Sequence, residues 1–314
     1  MSFMFSRLSA AKPAATRFVS TSAQSIQKRP SLVLASSVAI AGTALYYYST
    51  MSSVQAAEPV LKGEFVDLTL KEKFDLSENT KLLRFSFADP EAVSGLINAS
   101  AVVIKYKDAT SGKNVIRPYT PISDVNTKGH LDLLVKAYPG GKASVHVTSL
   151  QPGETLAFKG PIVKYPWDAN KHTEIALIGG GTGITPLYQL MHAIASDPAD
   201  KTKVTLLFGN ATEADILMKD TLDALAAKHP DQIKVVYTLD KAPAGWKGLT
   251  GFLSKDVLAK YLPKASADNV KVFVCGPPGM YKAISGTKVS PSDQGELTGA
   301  LAELGFTKEQ VFKF

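Results

Sequence analysis

The sequence predicts two folded domains of different class, an antiparallel six-stranded β barrel and then a Rossmann-like domain with a doubly wound parallel sheet. Six short runs rich in β-branched and aromatic residues, separated by turn signals, predict the barrel. After residue 172, strand-like and helix-like runs alternate, which is typical of a parallel sheet with helices on both faces. A run without charge at 31–48 predicts an N-terminal transmembrane anchor ahead of both domains.

The stretch before the folded part has the character of a targeting leader. Residues 1–30 are rich in serine, threonine and alanine and carry only basic charges, a composition typical of a mitochondrial presequence. The run at 31–48 ends in three tyrosines, as expected at a membrane interface. A secretory signal would need a shorter basic region before the apolar run. We therefore expect a presequence, a single anchor at 31–48 and a linker at 49–60.

This leader predicts a mitochondrial protein. The anchor could stop in the outer membrane. It could also be held and cleaved at the inner membrane, which would release the protein to the intermembrane space. The sequence leaves both routes open.

The basic balance of the chain belongs to the leader. The chain has 35 basic and 28 acidic residues, a net charge of +7. Residues 1–50 hold five of the basic residues and no acidic one, which leaves 30 basic against 28 acidic residues in the remainder. Such a near-neutral remainder argues against a nucleic-acid-binding face. The sequence has no repeat and no coiled-coil pattern, so we expect a monomer.

The sequence excludes an intramolecular disulfide and a cysteine-based metal cluster. Cys275 is the single cysteine, and an intramolecular disulfide needs two. The five histidines, at 130, 146, 172, 192 and 229, are scattered without the spacing of metal ligands. We therefore expect no metal site.

The first folded domain is expected at 61–167. Its predicted strands span 63–76, 80–89, 100–109, 115–123, 130–138 and 154–162. A short helix is predicted at 142–150. Strands of this number and spacing favour a small antiparallel barrel.

The stretch RPYTPIS at 117–123 presents a cation, a ring and two hydroxyl groups on stiff backbone, because two prolines favour extended geometry. The guanidinium of Arg117 can fork onto a phosphate. The ring of Tyr119 can lie against an aromatic face, and the hydroxyls of Thr120 and Ser123 can bond polar ring atoms. Taken alone, the stretch could equally be an edge strand with a surface arginine.

A second motif in the same domain favours a dinucleotide. Lys136 and Tyr138 are predicted on one strand face, and PGGKAS follows at 139–144 with Ser144 in the first helical turn. Backbone N–H groups at a helix start, without Cβ atoms in the way, favour a phosphate. PGGKAS alone could be a plain turn. Together with an arginine and a stacking ring, it predicts a pyrophosphate and a flat ring, as in FAD.

The second folded domain is expected at 172–314. Its predicted strands span 173–180, 203–210, 233–240 and 270–278, and its helices 187–195, 216–229, 253–262, 278–285 and 296–305. Thr185 is the predicted N-cap of the first of these helices, with Pro186 at its first position. Ligands of such sheets bind at the carboxyl ends of the strands.

Three predicted strand ends carry residues that could bind a ligand or line a reaction centre. GGGTGITP at 179–186 is glycine-rich between strand and helix, although it departs from G-x-G-x-x-G because Pro186 occupies the last glycine position. Asp240 can accept a hydrogen bond from a ribose hydroxyl and would repel a 2′-phosphate, or it could simply cap its strand. Cys275 has no evident base partner, which argues against a nucleophile. It could be a buried structural cysteine, and we favour a thiol that lines a reaction centre.

Four motifs in this order, RPYTPIS, GGKAS, GGGTGITP and CGPPGM, make the chain similar to the ferredoxin–NADP reductase superfamily. Within it, the chain more closely resembles the NADH–cytochrome b5 reductase family over residues 60–314. The leader resembles that of the mitochondrial form of this family in fungi.

The resemblance implies roles for individual residues. Arg117 would bind an FAD phosphate, and Tyr119 would pack on the isoalloxazine ring. The full set implied for FAD is Arg117, Pro118, Tyr119, Thr120, Ser123, Val135, Lys136, Tyr138, Gly141, Lys142, Ala143, Ser144 and Thr185. The set implied for NADH is Gly180, Thr182, Gly183, Pro186, Asp240, Cys275, Gly276, Pro277 and Met280. Thr120 and Cys275 are the residues expected at the reaction centre.

Two features depart from the family pattern or stay open. Residues 285–302 form a predicted insertion loop before the last helix. In plant-type relatives a terminal aromatic residue shields the flavin. The short tail that carries Phe314 here leaves its role open.

The resemblance implies an oxidoreductase that takes a hydride from NADH onto FAD and passes single electrons to cytochrome b5 or a similar acidic haem protein. Lys142, Lys164 and Lys171 are candidate docking cations, although any one of them could be a plain solvated lysine. An NADPH-dependent flavin reductase that donates to an iron–sulfur protein or flavodoxin is the alternative, against which Asp240 argues. A membrane-anchored protein that binds a nucleotide without turnover is a third possibility.

Overall fold

The computed structural model describes residues 58–314. The predicted presequence and anchor, and all but the end of the linker, lie outside the described residues. Within 58–314, no helix is long and apolar enough to cross a membrane.

The first half of the described chain forms a six-stranded antiparallel sheet in the order β4-β3-β6-β1-β2-β5. Its strands are β1 Val66–Ser77, β2 Thr80–Ser86, β3 Ser100–Lys107, β4 Asn114–Tyr119, β5 His130–Lys136 and β6 Thr155–Val163. Helix α1 (Lys142–Ser149) lies between β5 and β6. The two outer strands, β4 and β5, approach each other. The N–H of Ile122, just after β4, donates to the carbonyl of Asp132 in β5 at 2.9 Å.

The six predicted strands are therefore confirmed, although most of their ends are shifted, and two of these shifts affect candidate site residues. β4 stops at Tyr119, before Pro121, which has no N–H for a ladder bond. β5 stops at Lys136, so the prediction that Tyr138 shares its strand is wrong. Tyr138 lies instead in the turn that leads to Gly140, whose φ of +74° favours glycine.

The second half forms a parallel six-stranded sheet in the order β10-β9-β8-β7-β11-β12. Its strands are β7 Glu174–Gly180, β8 Lys203–Asn210, β9 Ile233–Leu239, β10 Leu249–Thr250, β11 Val270–Cys275 and β12 Val311–Lys313. Its helices are α2 Ile184–Ser196, α3 Lys219–Lys228, α4 Lys255–Tyr261, α5 Pro278–Ile284 and α6 Gly299–Glu303. The alternation predicted a doubly wound sheet correctly, and it missed the two short outer strands, β10 and β12.

The predicted start of α2 is wrong by two residues. A short 3-10 turn at Gly181–Gly183 runs directly into α2, so Gly183 is the N-cap. Thr185 lies inside the first turn, where its hydroxyl donates to the carbonyl of Thr182 at 3.2 Å. Pro186 is consequently the third helical residue, and its missing N–H still belongs to the unpaired first turn.

Neighbouring residues of β5 serve two different cores. Leu133 packs in the core of the first sheet with Phe85 and Phe158, whose rings meet edge-on at 4.8 Å. Leu134 points to the opposite face, as strand geometry requires, and packs in the core of the parallel sheet. A side-chain bond reinforces this contact, because Oε1 of Gln189 in α2 accepts from the N–H of Ser100 in β3 at 2.9 Å.

Candidate active site

A cleft of about 1640 Å³ lies where the two sheets meet. A pocket for one small ligand spans roughly 300–1,000 Å³, so this cleft is larger than a single such ligand requires. Every residue predicted for FAD or NADH lines it except Ser123. Ser123 instead ties the segment after β4 to β5, because its hydroxyl accepts from the N–H of Asp132 at 3.1 Å.

The start of α1 offers unpaired backbone donors to the cleft. Gly141 caps the helix, and no side chain of the described residues bonds the N–H groups of its first turn. A Cβ atom on Gly141 would meet the Ser144 hydroxyl at 2.5 Å and the Tyr138 carbonyl at 3.0 Å, so a side chain there would crowd the turn. The Ser144 hydroxyl accepts from the N–H of Tyr138 at 3.2 Å and thereby holds the turn in shape.

Arg117 adds a cation with free capacity to this part of the cleft. Its guanidinium is exposed and donates one bond to the Ile116 carbonyl at 2.8 Å. This is the one side-chain hydrogen bond that it makes within residues 58–314. Lys142, by contrast, lies 3.7 Å from the carboxylate of Asp108.

Tyr119 and its neighbours form an apolar wall with polar edges. The Tyr119 ring is half-buried against the core of the first sheet, and burial raises the pKa of its hydroxyl to about 12. The phenol therefore stays protonated at neutral pH. Pro118, Thr120 and Val135 line the cleft beside it.

Lys136 and Tyr138 both bond to residues of the second domain. The ammonium of Lys136 lies 3.0 Å from Oδ1 of Asp215. The Thr212 hydroxyl, and then Lys136, hold the pKa of Asp215 below its ordinary value. The hydroxyl of Tyr138 lies 3.2 Å from that of Thr182. These two contacts span the cleft, and no motif in the sequence predicts either of them.

Glycines let two loops of the parallel sheet approach each other. A Cβ atom on Gly183, after β7, would lie 2.1 Å from the carbonyl oxygen of Cys275 at the end of β11. A Cβ atom on Gly180 would lie 2.9 Å from the sulfur of Met280. This contact unites the predicted NADH residues in one surface, which also contains Gly276, Pro277 and Pro186.

Cys275 lies half-buried in this surface. Burial is the main cause that raises the pKa of its thiol to about 11. The side chain is therefore a neutral thiol at pH 7 and a poor nucleophile.

Asp240 lies exposed in the cleft directly after β9, and its N–H donates to the carbonyl of Asn210 at the end of β8 at 3.0 Å. Asn210 is buried in the cleft wall, and within the described chain neither polar atom of its side chain has a hydrogen-bond partner. Sequence reasoning missed Asn210, although it ends the buried run KVTLLFGN at the edge where ligands of such sheets bind.

Other cleft residues were also missed or left open, and several of them come from loops and short strands. Phe314 lines the cleft and is not on a loose tail, because it follows β12 and its N–H donates to the Val274 carbonyl at 3.0 Å. Lys288 reaches the cleft from the predicted insertion loop. Leu134, Asp215 and Phe252 are further examples.

The residues present fit two phosphate-bearing cofactors. The donors of α1 and Arg117 suit a pyrophosphate, and the protonated Tyr119 ring suits a flat partner. The glycine surface around Gly180 and Gly183 leaves room for the second cofactor to lie close to the backbone.

Comparisons with known proteins agree with this division. Residues 67–167 match the model of the oxidoreductase FAD-binding domain, and residues 177–286 match that of the oxidoreductase NAD-binding domain. The NADH-cytochrome b5 reductase 2 of Debaryomyces hansenii is 57% identical over 271 residues, which cover 86% of this chain and 90% of that protein. The protein of the same name from Yarrowia lipolytica is 55% identical over 90% of this chain and 98% of its own length.

A solved structure supports the same assignment. The cytochrome b5 reductase domain of Ulva prolifera nitrate reductase is 34% identical, superposes with a TM-score of 0.71, and is matched over 82% of this chain and 99% of that domain. The chain therefore belongs to the NADH–cytochrome b5 reductase family, and its FAD-binding and NAD-binding domains belong to the ferredoxin–NADP reductase superfamily.

Proposed function

We propose that this protein is an FAD-dependent oxidoreductase that takes a hydride from NADH and passes single electrons to cytochrome b5. One observation carries the proposal: a single cleft joins the phosphate-binding features of the first domain to the glycine surface of the second. The family relatives are named for the same donor and acceptor.

The chain supplies binding and orientation. When bound, FAD accepts two electrons as a hydride and can release them one at a time. Arg117 and the N–H groups of α1 hold phosphate. The glycine surface around Gly180 and Gly183 receives the nicotinamide nucleotide close to the backbone, and the Thr120 hydroxyl offers a bond to polar ring atoms. Cys275 stays a protonated thiol and lines the reaction centre without transferring protons.

Asp240 makes NADH the preferred donor. Its carboxylate is exposed at the end of β9, where it can accept from a ribose hydroxyl and would repel a 2′-phosphate. The alternative, an NADPH-dependent reductase that donates to an iron–sulfur protein or flavodoxin, would need a cation there. We expect Asp240→Ser to narrow the ratio of NADH to NADPH turnover, measured as kcat/KM for each. Equal use of both nucleotides by the parent protein would support the alternative.

The site of action is proposed from the leader alone. Its acid-free composition and the apolar run at 31–48 support a mitochondrial protein that is anchored in the outer membrane or released to the intermembrane space. The absence of repeats and coiled-coil patterns from the sequence supports a monomer. Fractionated mitochondria, treated with protease before and after the outer membrane is opened, would distinguish the two locations.

An absorbance spectrum tests the central proposal. The purified full chain should be yellow, and stoichiometric NADH should bleach it within seconds in the absence of oxygen. Added cytochrome b5 should then be reduced. A colourless protein, or a yellow one that NADH does not bleach, would leave only a nucleotide-binding role.

A further inference from the structure

The loop at residues 285–298, which we name the clasp loop, binds the short strand β12. Lys313 in β12 is 2% exposed, although it carries a charge. Its ammonium donates to the carbonyls of Gln294 at 2.7 Å and Glu296 at 2.9 Å. A buried charge is costly unless it is well bonded, so these contacts are what keep Lys313 inside.

The backbone of Lys313 is bonded to the same loop. Its N–H donates to Oε1 of Gln294 at 2.6 Å, and its carbonyl accepts from Nε2 of Gln294 at 3.1 Å. The carbonyl also accepts from the ammonium of Lys288 at 3.1 Å. Gln294 thus pairs with β12 as a neighbouring strand would, with one donor and one acceptor.

This arrangement determines where the side chain of Phe314 lies in the cleft wall. β12 pairs with β11, and the next residue, Phe314, packs its ring on that of Phe273, with centroids 5.8 Å apart. The carbonyl of Phe314 accepts from the hydroxyl of Tyr281 at 2.9 Å. Phe314 lines the cleft together with Lys288 and Cys275, whereas Gln294 and Lys313 lie behind it.

We propose that Gln294 and Lys313 are positioning residues, which hold Phe314 and Lys288 in the cleft wall beside Cys275 and so shape the part of the cleft that receives the nicotinamide. This inference rests on the proposed function for its substrate. The clasp loop would then be part of the active-site architecture, although Gln294 of this loop and Lys313 of β12 both lie outside the cleft lining.

Cys275 provides a readout that does not depend on activity. It is the only cysteine, so iodoacetamide labels a single thiol in the purified holoenzyme. Alkylation requires the thiolate, which is scarce because burial raises the pKa to about 11. If Gln294→Ala loosens β12 and Phe314, labelling should become severalfold faster at every pH between 8 and 10, as expected for easier access. The KM for NADH should rise severalfold, and the FAD content should stay the same.

Gln232 offers a matched control. Its side-chain amide also makes two bonds to backbone, to the carbonyls of Asp200 at 2.8 Å and Thr202 at 3.1 Å, at the opposite end of the sheet. Gln232→Ala should lower the melting temperature by a similar amount and leave both the labelling rate and the KM unchanged. Gln294→Glu, which keeps the acceptor and loses the donor, should fall between the parent and Gln294→Ala.

The proposal is overturned if Gln294→Ala and Gln294→Glu label at the parental rate with the parental KM. It is also overturned if Gln232→Ala accelerates labelling as much as Gln294→Ala, because the effect would then be general loosening. Bleaching of the parent protein by NADH is a separate result. The proposed function therefore stands or falls independently of the clasp.

Discussion

At the scale of single residues, the two arginines of the first sheet differ in what they already bind. Arg84 is held on both sides, by a fork onto Asp132 at 2.9 Å and by Glu72 at 3.1 Å. Within residues 58–314, Arg117 makes a single hydrogen bond, to the carbonyl of Ile116. An arginine whose donors are free, beside a glycine turn with free N–H groups, is poised for a phosphate.

Replacing Arg117 should therefore affect the flavin more than the nucleotide. Hydrogen bonds to charged groups contribute about 1.5–3 kcal/mol each, so Arg117→Ala should weaken FAD retention by roughly tenfold or more. The ratio of flavin absorbance to protein absorbance after gel filtration measures the loss and should fall. The KM for NADH of the FAD-loaded fraction should be unchanged. Unaltered flavin content would mean that RPYTPIS is only an edge strand and does not bind FAD.

Asn210 should be a site where stability can be gained. A buried polar group without a partner costs about 1–3 kcal/mol, and an apolar group of similar shape removes that cost. Asn210→Leu should therefore raise the melting temperature, whereas Asn210→Asp should lower it because it buries a charge. Calorimetry on the ligand-free protein measures both. A lower melting temperature for Asn210→Leu would mean that the amide has a partner, such as an ordered water.

At the scale of elements, the loops after β7 and β11 work as one unit, because glycine lets their backbones touch. The constraint at Gly183 is space and not backbone conformation, since its φ of −61° is ordinary. A side chain at this position meets backbone atoms, which cannot rotate away.

Gly183→Ala should force these two loops apart. Overpacking costs about 1–3 kcal/mol, so the melting temperature should fall, and the KM for NADH should rise as the glycine surface separates. Gly279→Ala is the stability control, since a Cβ atom there meets nothing within 4 Å and lies in helix α5. A melting temperature for Gly183→Ala equal to that of Gly279→Ala would contradict the close approach.

Elements with a long periodic pattern were predictable, and those defined by tertiary contact were not. All six strands of the first sheet and the buried strands β7, β8, β9 and β11 follow from β-branched runs between turn signals. β10 and β12 contain only two and three residues, too few to show alternation. The N-cap at Thr185 failed because the 3-10 turn started the helical backbone earlier.

The site was predictable where chemistry is concentrated in a motif. The four motifs identified most of the predicted residues that line the cleft, and each motif contributed several of them. These motifs are RPYTPIS, GGKAS, GGGTGITP and CGPPGM. Asn210, Asp215 and Phe314 carry no motif, and they enter the cleft only because strand ends and loops meet there. Ser123 has the right chemistry, but the bond to Asp132 uses its hydroxyl elsewhere.

At the scale of the whole molecule, the candidate docking cations are not equivalent. Lys142 lies near Asp108, and Lys171 lies 3.9 Å from Asp168. Lys164 lines the cleft and has no ion-pair partner among residues 58–314. An unpaired cation at the cleft is the one best able to attract an acidic haem protein.

Reduction of cytochrome b5 should therefore slow as salt rises, since charges are screened beyond about 10 Å at 0.1 M ionic strength. We expect kcat/KM for cytochrome b5 to fall with ionic strength, and Lys164→Gln to reduce this dependence more than Lys171→Gln. Reduction of ferricyanide, measured at constant ionic strength, should be similar in all three proteins. A kcat/KM for cytochrome b5 that does not change with salt would reject electrostatic docking.

The placement of Leu134 limits how this protein can be divided. The residue belongs to the first sheet by chain order and to the core of the second by packing. A nucleotide domain expressed alone, or transplanted behind another flavin domain, would expose the apolar surface that Leu134 covers. The two halves are therefore poor interchangeable modules, and a working chimera should keep β5 and the parallel sheet that Leu134 contacts from the same parent protein.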